Sequence, residues 1–339
     1  MAAPTFGLDI GRSFIKVVQV KVSGSKKVLW AAGSVKTPNG GIETESPVDL
    51  EKVAEAVKAA RSSAKVNSRH CMVSIIESQV VTRMIQMPAL TDKELSAAIH
   101  WEAEQYIPLP LKDVNLQYKV ILRPDKSTSG KMDVLLIAAP KRVISKYLNI
   151  VKMAGLEIGA LETESAALSR ALSTPTDPPT IIVSMGAVST EMVIALSGNV
   201  LFTRSIATGG VSLTRTIMAE FNLPANQAEE YKQTYGILED KLSGKVAAIL
   251  KPILDILTAE ILKAVQFART HIQQSQIVRI VICGGGAYLP GLSAFLAERT
   301  SLEVSLGDPW EKFAKEDLIL KLPGQGSFYA VATGLALRS

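Results

Sequence analysis

Asp9, Gly11, Arg12, Ser13 and Lys16 are the first residues whose types and spacing could do chemistry. An apolar run ends in Asp9, and an alternating run after the turn carries Lys16. The stretch 6–20 therefore reads as strand, tight turn, strand. Glycine in such a turn lets backbone approach a ligand closely. The turn's free amides, with Ser13 and Lys16, could then hold a phosphate. Asp9 at the strand end could hold a Mg²⁺ through water. The plain alternative is an ordinary hairpin with an aspartate in its turn.

A second group lies near the C-terminus. The apolar run 278–282 leads through Cys283 into Gly284, Gly285 and Gly286, and then toward a helix. A strand passing into glycines and a helix start is where an anionic or nucleotide group can meet bare backbone. The pattern is not GxGxxG, and no acidic residue stands about 20 residues downstream to hold a ribose. GxxxxGK[ST] is absent, which excludes a P-loop. Glu229 and Lys232 lie one turn apart on one helical face, as a ligand contact or as a solvated ion pair.

The elements that must position these groups follow in order. A third strand is predicted over 27–36 and a helix over 49–60, with Leu50, Val53, Ala54 and Val57 at helical spacing. Short strands follow at 70–76 and 80–86. Thr91 and Glu94 make a capping box, with Leu90 and Leu95 as the hydrophobic staple, so a helix is predicted to about residue 106. Strands at 114–121 and 132–138 and a helix between Pro140 and Gly155 complete a compact α+β unit. A strand at 156–161 returns to the first sheet, and a short helix covers 162–172. The Pro- and Thr-rich stretch 174–179 is the candidate hinge.

The opening then repeats. Residues 180–196 are again apolar strand, glycine turn, apolar strand, with a third strand at 199–206. Asp9 and Gly11 align with Ser184 and Gly186. A repeat at half-chain distance predicts two related sheet lobes with a ligand cleft between them. Helices are predicted at 211–221, from Pro224 to Gly236, and over about 245–273. In the last of these Pro252 must kink the helix or sit in a first turn. Trp310 and Phe313 precede a final helix at 327–337.

Composition bounds the reading. Of the 339 residues 47% are hydrophobic and 20% charged, enough for a large core and against disorder. The net charge of +5 is scattered, without the basic stripe of a nucleic-acid binder. Cys71 and Cys283 sit in apolar runs and read as buried reduced thiols, which fits a cytoplasmic protein. His70, His100 and His271 are isolated, without metal-ligand spacing. No signal-peptide pattern and no apolar run of about 18 residues is present.

Four segments carry a resemblance over essentially the whole chain. They are FGLDIGRSFIK, MPALTDKELSAAIHWEAEQYIPLPL, ICGGGAYLPGL and YAVATGLALR. The chain resembles the actin/Hsp70/sugar-kinase superfamily. Within it the chain looks like the PilM family of type IV pilus assembly proteins, relatives of the division protein FtsA. The resemblance implies an α/β, actin-like (ribonuclease H-like) duplicated two-lobe fold with an inserted α+β subdomain 1C as in FtsA. The implied parts are 1–78 as the first part of subdomain 1A, 79–154 as 1C, and 155–178 as the return to 1A and hinge. Then come 179–222 as the first part of 2A, 223–275 as 2B and the long helix, and 276–339 as the rest of 2A with the closing helix.

The resemblance also implies ATP, with Mg²⁺, in the central cleft. Asp9, Gly11, Arg12, Ser13 and Lys16 become the first phosphate loop, and Ser184 and Gly186 the second. Gly209 and Gly210 are implied near the nucleotide, and Glu229 and Lys232 near the ribose or base. Gly284, Gly285, Gly286 and Tyr288 are implied at the adenosine, and Glu164 as a candidate for positioning a water. Superfamily members usually carry Asp where this chain has Ser184. A neutral hydroxyl is a weak metal ligand, so hydrolysis is expected to be slow or absent.

The function so implied is a cytoplasmic adaptor at the inner face of the inner membrane. Its partner is the N-terminal cytoplasmic peptide of a PilN-like protein, seated near 1A and 1C, with the pilus motor ATPase as a further contact. An FtsA-like amphipathic tail is not found after GLALR, so recruitment to the membrane is expected through partners. The alternative is an actin-like filament former, a homo-oligomer, or behind it a small-molecule kinase. A kinase needs a carboxylate base aimed at a substrate hydroxyl, and no Asn-Asp-type motif supplies one.

Overall fold

The structure is a computed structural model that describes residues 5–24, 26–124, 130–271, 276–322 and 325–338. The chain opens with β1 (Thr5–Ile10), β2 (Phe14–Ser23), β3 (Lys26–Lys36), α1 (Pro47–Ser63) and β4 (His70–Ile75). Next come β5 (Val81–Pro88), α2 (Asp92–Glu104), β6 (Val114–Leu122), β7 (Lys131–Pro140) and α3 (Lys141–Met153). β8 (Glu157–Thr163) and α4 (Glu164–Leu172) close the first half. The second half has β9 (Thr180–Met185), β10 (Thr190–Leu196), β11 (Asn199–Ile206), α5 (Gly210–Phe221), α6 (Ala225–Tyr235) and α7 (Lys245–His271). It ends with β12 (Arg279–Cys283), α8 (Leu292–Thr300), β13 (Glu303–Leu306), α9 (Asp317–Lys321) and α10 (Ala330–Ala336).

Two five-stranded sheets share one plan. The first runs β3-β2-β1-β4-β8 and the second β11-β10-β9-β12-β13. In each, three antiparallel strands come first and two parallel strands follow through crossovers. The duplication expected from the repeated strand–turn–strand is thus a duplication of topology. Continuous apolar runs suit it, because β9 and β10 are buried along almost their whole length.

The unit between β4 and β8 forms its own sheet, β5-β7-β6. Its strands and α2 bury Ile85, Leu95, Ile99, Val134 and Leu136 in a separate core. The capping box at its helix start is formed: Thr91 accepts from the Glu94 amide, and the Glu94 carboxylate accepts from the Thr91 amide at 2.8 Å. Leu90 and Leu95 pack in the same cluster.

One sequence expectation needs adjustment. Glu162 and Thr163 belong to β8 rather than to the helix, which starts at Glu164 behind a Thr163 cap. Of the two alternatives for Pro252 the structure has the proline inside α7, not in its first turn. The helix expected as far as 273 is described only to His271, and residues 272–273, like 125–129 of the β6–β7 loop, lie outside the described residues.

The closing segment returns to the first half. Trp310 and Phe313 are buried with Val18 and Leu29 of the first sheet, and Trp310 Nε1 donates to Thr333 Oγ1 at 2.9 Å. α10 packs on α4 and β1. Ala167 and Leu168 of α4 and Ala330, Val331 and Leu335 of α10 share a core with Ile182, Val193 and Val281 of the second sheet. These two helices therefore sit where the lobes meet. Arg170 grips both oxygens of the buried Glu162 at 2.7 and 2.8 Å and also donates to the Gly334 carbonyl, while Arg338 pairs with Glu162. Among the described residues no helix is long and apolar enough to cross a membrane.

Candidate functional site

The two equivalent hairpin turns face one cleft of about 1370 Å³. In each turn a glycine amide donates to a carbonyl three residues on: Gly11 to Phe14 at 3.1 Å, and Gly186 to Ser189 at 3.0 Å. A side chain at either glycine would meet that same carbonyl, at 2.8 and 2.9 Å. The backbone thus requires glycine at both places for the same reason.

Asp9, Gly11, Arg12, Ser13 and Lys16 all line the cleft. Asp9 and Lys16 are register partners across β1 and β2, and Lys16 Nζ donates to Asp9 Oδ2 at 2.9 Å. Ser74 of β4 donates to the other oxygen of Asp9 at 3.3 Å. Lys16 also stands over the Phe328 ring, 4.7 Å from its centroid. Arg12 is held by Glu43 at 2.6 Å and by Ser78 at 3.1 Å.

The second turn brings Ser184 and Gly186 to the opposite wall. Gly210 lines the cleft with them, and Gly209 lies behind the turn against Ala187. The first amides of α5 are already used, Gly210 donating to Gly186 and Val211 to Ala187. They brace the turn and are not open to an anion. Glu229 and Lys232 of α6 also line the cleft. They pair at 2.7 Å, and Lys232 reaches Thr214 and the Gly210 carbonyl.

Gly284, Gly285, Gly286 and Tyr288 complete the wall. Gly284 has a φ of +82° and lies against the Met185 backbone, so the turn after β12 admits no side chain there. A 3₁₀ turn, Gly285–Tyr288, separates the strand from α8. No α-helix N-terminus therefore follows the glycines directly. Burial pushes both thiols, Cys71 and Cys283, up to about 12, which makes them unreactive packing groups.

Sequence reasoning missed two acidic groups here. Glu77 is buried below the cleft. It accepts from the Ser165 amide at 3.2 Å and from Thr82 at 3.2 Å, and Thr203 of β11 bonds it from the second lobe. Burial still raises its carboxyl above the ordinary value. The Glu77 amide donates to Glu164 Oε2 at 3.1 Å, fixing Glu164 at the start of α4. Burial, then the charges of Asp9 and Glu191, raise Glu164 well above the usual carboxylate range. The second missed acid is Glu191, raised by burial to about 7. The repeat contained its signal, because Glu191 stands as far beyond Gly186 as Lys16 stands beyond Gly11.

Two five-stranded sheets of one plan, an inserted sheet and a shared cleft define the actin-like class. Solved structures agree: MreB5 of Spiroplasma citri bound to AMPPNP matches with a TM-score of 0.54 at 15% identity, over 98% of this chain and 95% of that one. The chain belongs to the type IV pilus assembly protein PilM family, whose family model matches residues 7–339. A solved PilM–PilN type IV pilus biogenesis complex matches with a TM-score of 0.84 and 29% identity, over 100% of this chain and 99% of that one. The division protein FtsA of Bacillus subtilis is 22% identical over 347 residues, covering 89% of this chain and 78% of that protein. The ethanolamine utilization protein EutJ of Salmonella typhimurium is 24% identical over 152 residues, and that match spans only 48% of its length.

Proposed function

We propose that the chain is a nucleotide-binding adaptor of a type IV pilus assembly complex, engaging the N-terminal peptide of a PilN-like inner-membrane protein at the cytoplasmic face. The observation that carries this reading is the full-length likeness to the solved PilM–PilN complex. A groove of about 400 Å³ offers a seat for an extended peptide. It is lined by His100 of α2, Val114, Asn115 and Leu116 of β6, and Lys141, Ile144 and Ser145 of α3. β6 is an edge of the inserted sheet, and an unpaired strand edge can accept a further strand. All these residues lie within 79–154, and α3 also packs on α1 of the first lobe, which supports a seat near 1A and 1C.

The cleft suits a nucleotide. Both glycine turns present backbone to it, Lys16 and Arg12 supply positive charge, and the glycines after β12 leave room for a base. Asp9, held by Lys16 and Ser74, would meet a Mg²⁺ through water. Such an ion would neutralise phosphate charge. Ser184 contributes only a neutral oxygen, which supports slow turnover and a nucleotide that serves as a structural ligand or switch.

Calorimetric titration of the full chain with a PilN-type N-terminal peptide, with and without Mg·ATP, tests the reading. Saturable one-to-one binding is expected, and Leu116→Asp is expected to abolish it. Absence of heat in both conditions, with ATP still bound, would defeat the adaptor reading.

A further inference from the structure

The second hairpin carries a carboxylate that the two-loop account leaves without a task. Glu191 of β10 is the register partner of Ser184 on β9 and of Ser205 on β11. Ser184, Glu191 and Ser205 thus form a row across three strands. The equivalent row in the first half is Asp9, Lys16 and Ser34. There the acid lies on the inner strand and a lysine opposes it. In the second half the acid lies on the middle strand and a neutral serine opposes it.

Glu191 is 5% exposed and lines the cleft. Its Oε1 accepts from Ser189 and from Ser205, each at 2.8 Å. Its Oε2 is buried and has no hydrogen-bond partner among the described residues. A buried carboxylate oxygen without a partner is costly, and folds retain one mainly where something else comes to it. The surrounding charge says what. Lys16 is engaged with Asp9, and Glu164 and Glu77 repel Glu191. Arg12 attracts it, but Arg12 is itself held by Glu43. The cleft therefore carries a surplus of carboxylate on the side of the second turn, next to a site suited to phosphates. A hard divalent cation relieves both.

We infer that Glu191 is a cation-binding residue of the cleft, its Oε2 taking the divalent ion that accompanies a nucleotide, directly or through one of the ion's waters. This rests on the nucleotide reading and deepens it. The acidic function expected at position 184 is moved to the neighbouring strand, and Ser184 leaves room for it.

The test is ATP affinity of the full chain by calorimetry, in EDTA and in Mg²⁺, for the wild type, Glu191→Gln and Glu191→Asp. Mn²⁺ titration followed by electron paramagnetic resonance reads the ion directly. Glu191→Gln preserves shape and an acceptor for both serines. It is expected to keep the affinity seen in EDTA, to lose about 10-fold or more of the Mg²⁺-dependent gain, and to weaken Mn²⁺ binding alike. Glu191→Asp is expected to recover part of both. An unchanged Mg²⁺ gain and unchanged Mn²⁺ binding in Glu191→Gln would overturn the inference, as would an equal loss in EDTA and in Mg²⁺. If the wild type binds no ATP in either buffer, the nucleotide reading itself fails and takes the inference with it.

Discussion

The β1–β2 and β9–β10 hairpins have one backbone and two chemistries. Both turn on a glycine whose amide reaches a carbonyl three residues ahead, and both face the same cleft. The first closes its charge internally, Asp9 against Lys16. The second opposes Ser184 to Glu191 and leaves a carboxylate oxygen unmatched. Duplication preserved the scaffold, and the polar row across the strands was free to diverge. Backbone geometry is thus shared by both turns, and any asymmetry in how they treat a ligand must come from that row.

The largest effect that would test this contrast comes from the ion pair. Asp9→Ala leaves Lys16 nearly buried and unpaired, and is expected to cost about 3 kcal/mol or more of stability in urea unfolding. It is also expected to weaken Mg·ATP binding, and unchanged calorimetric affinity would remove Asp9 from the site. Gly11→Ala and Gly186→Ala come next. Each drives a Cβ into a carbonyl, and each is expected to cost about 1–3 kcal/mol. Costs that differ widely would show that the two turns are not mechanically equivalent.

Ser184→Asp makes the second hairpin acidic on both strands. If the neutral hydroxyl limits turnover, phosphate release rises by a few-fold, and a flat rate in a phosphate assay would discard that explanation. The smallest effect concerns the seam between the halves, where Glu77 meets Thr203. Burial raises the Glu77 carboxyl above its ordinary value, so folding favours its protonated form more than the unfolded chain does. Its contribution is present at low pH and is lost as the pH climbs through the folded value. Glu77→Gln is therefore expected to lose less stability than the wild type as the pH rises above the ordinary carboxylate range, read by urea unfolding at a series of pH values. Glu164 and Glu191 are raised in part by the Glu77 charge, so the difference reads this acidic cluster and not Glu77 alone. Parallel curves would place the titration elsewhere.

Much of this arrangement could be read from residue order. The opening turn, its repeat at 180–196 and the capped helix at Thr91 are signals within a few residues, and each marks an element of the structure. What escaped was set by distant contacts. β13 is four residues at a sheet edge with little period to detect, and α9 is five residues long. Nothing near Trp310 announces that it lies against the first sheet. Glu77 and Glu191 were passed over because one sits at a strand end and the other inside an apolar run, where periodicity reports burial but not the polar partners that permit it.

The packing of α10 has a consequence for how the chain is made. The helix that covers β1 and links α4 to the second sheet comes from residues 330–336, and Arg338 ties down Glu162 beside it. During synthesis the first sheet and the inserted unit emerge long before these residues do. They must wait with the α10 face of β1 uncovered, exposed to aggregation or to a chaperone. Closure of so long a loop slows the final docking step far more than it weakens the finished molecule. The emergence of residues 330–338 sets the moment at which the first lobe becomes complete.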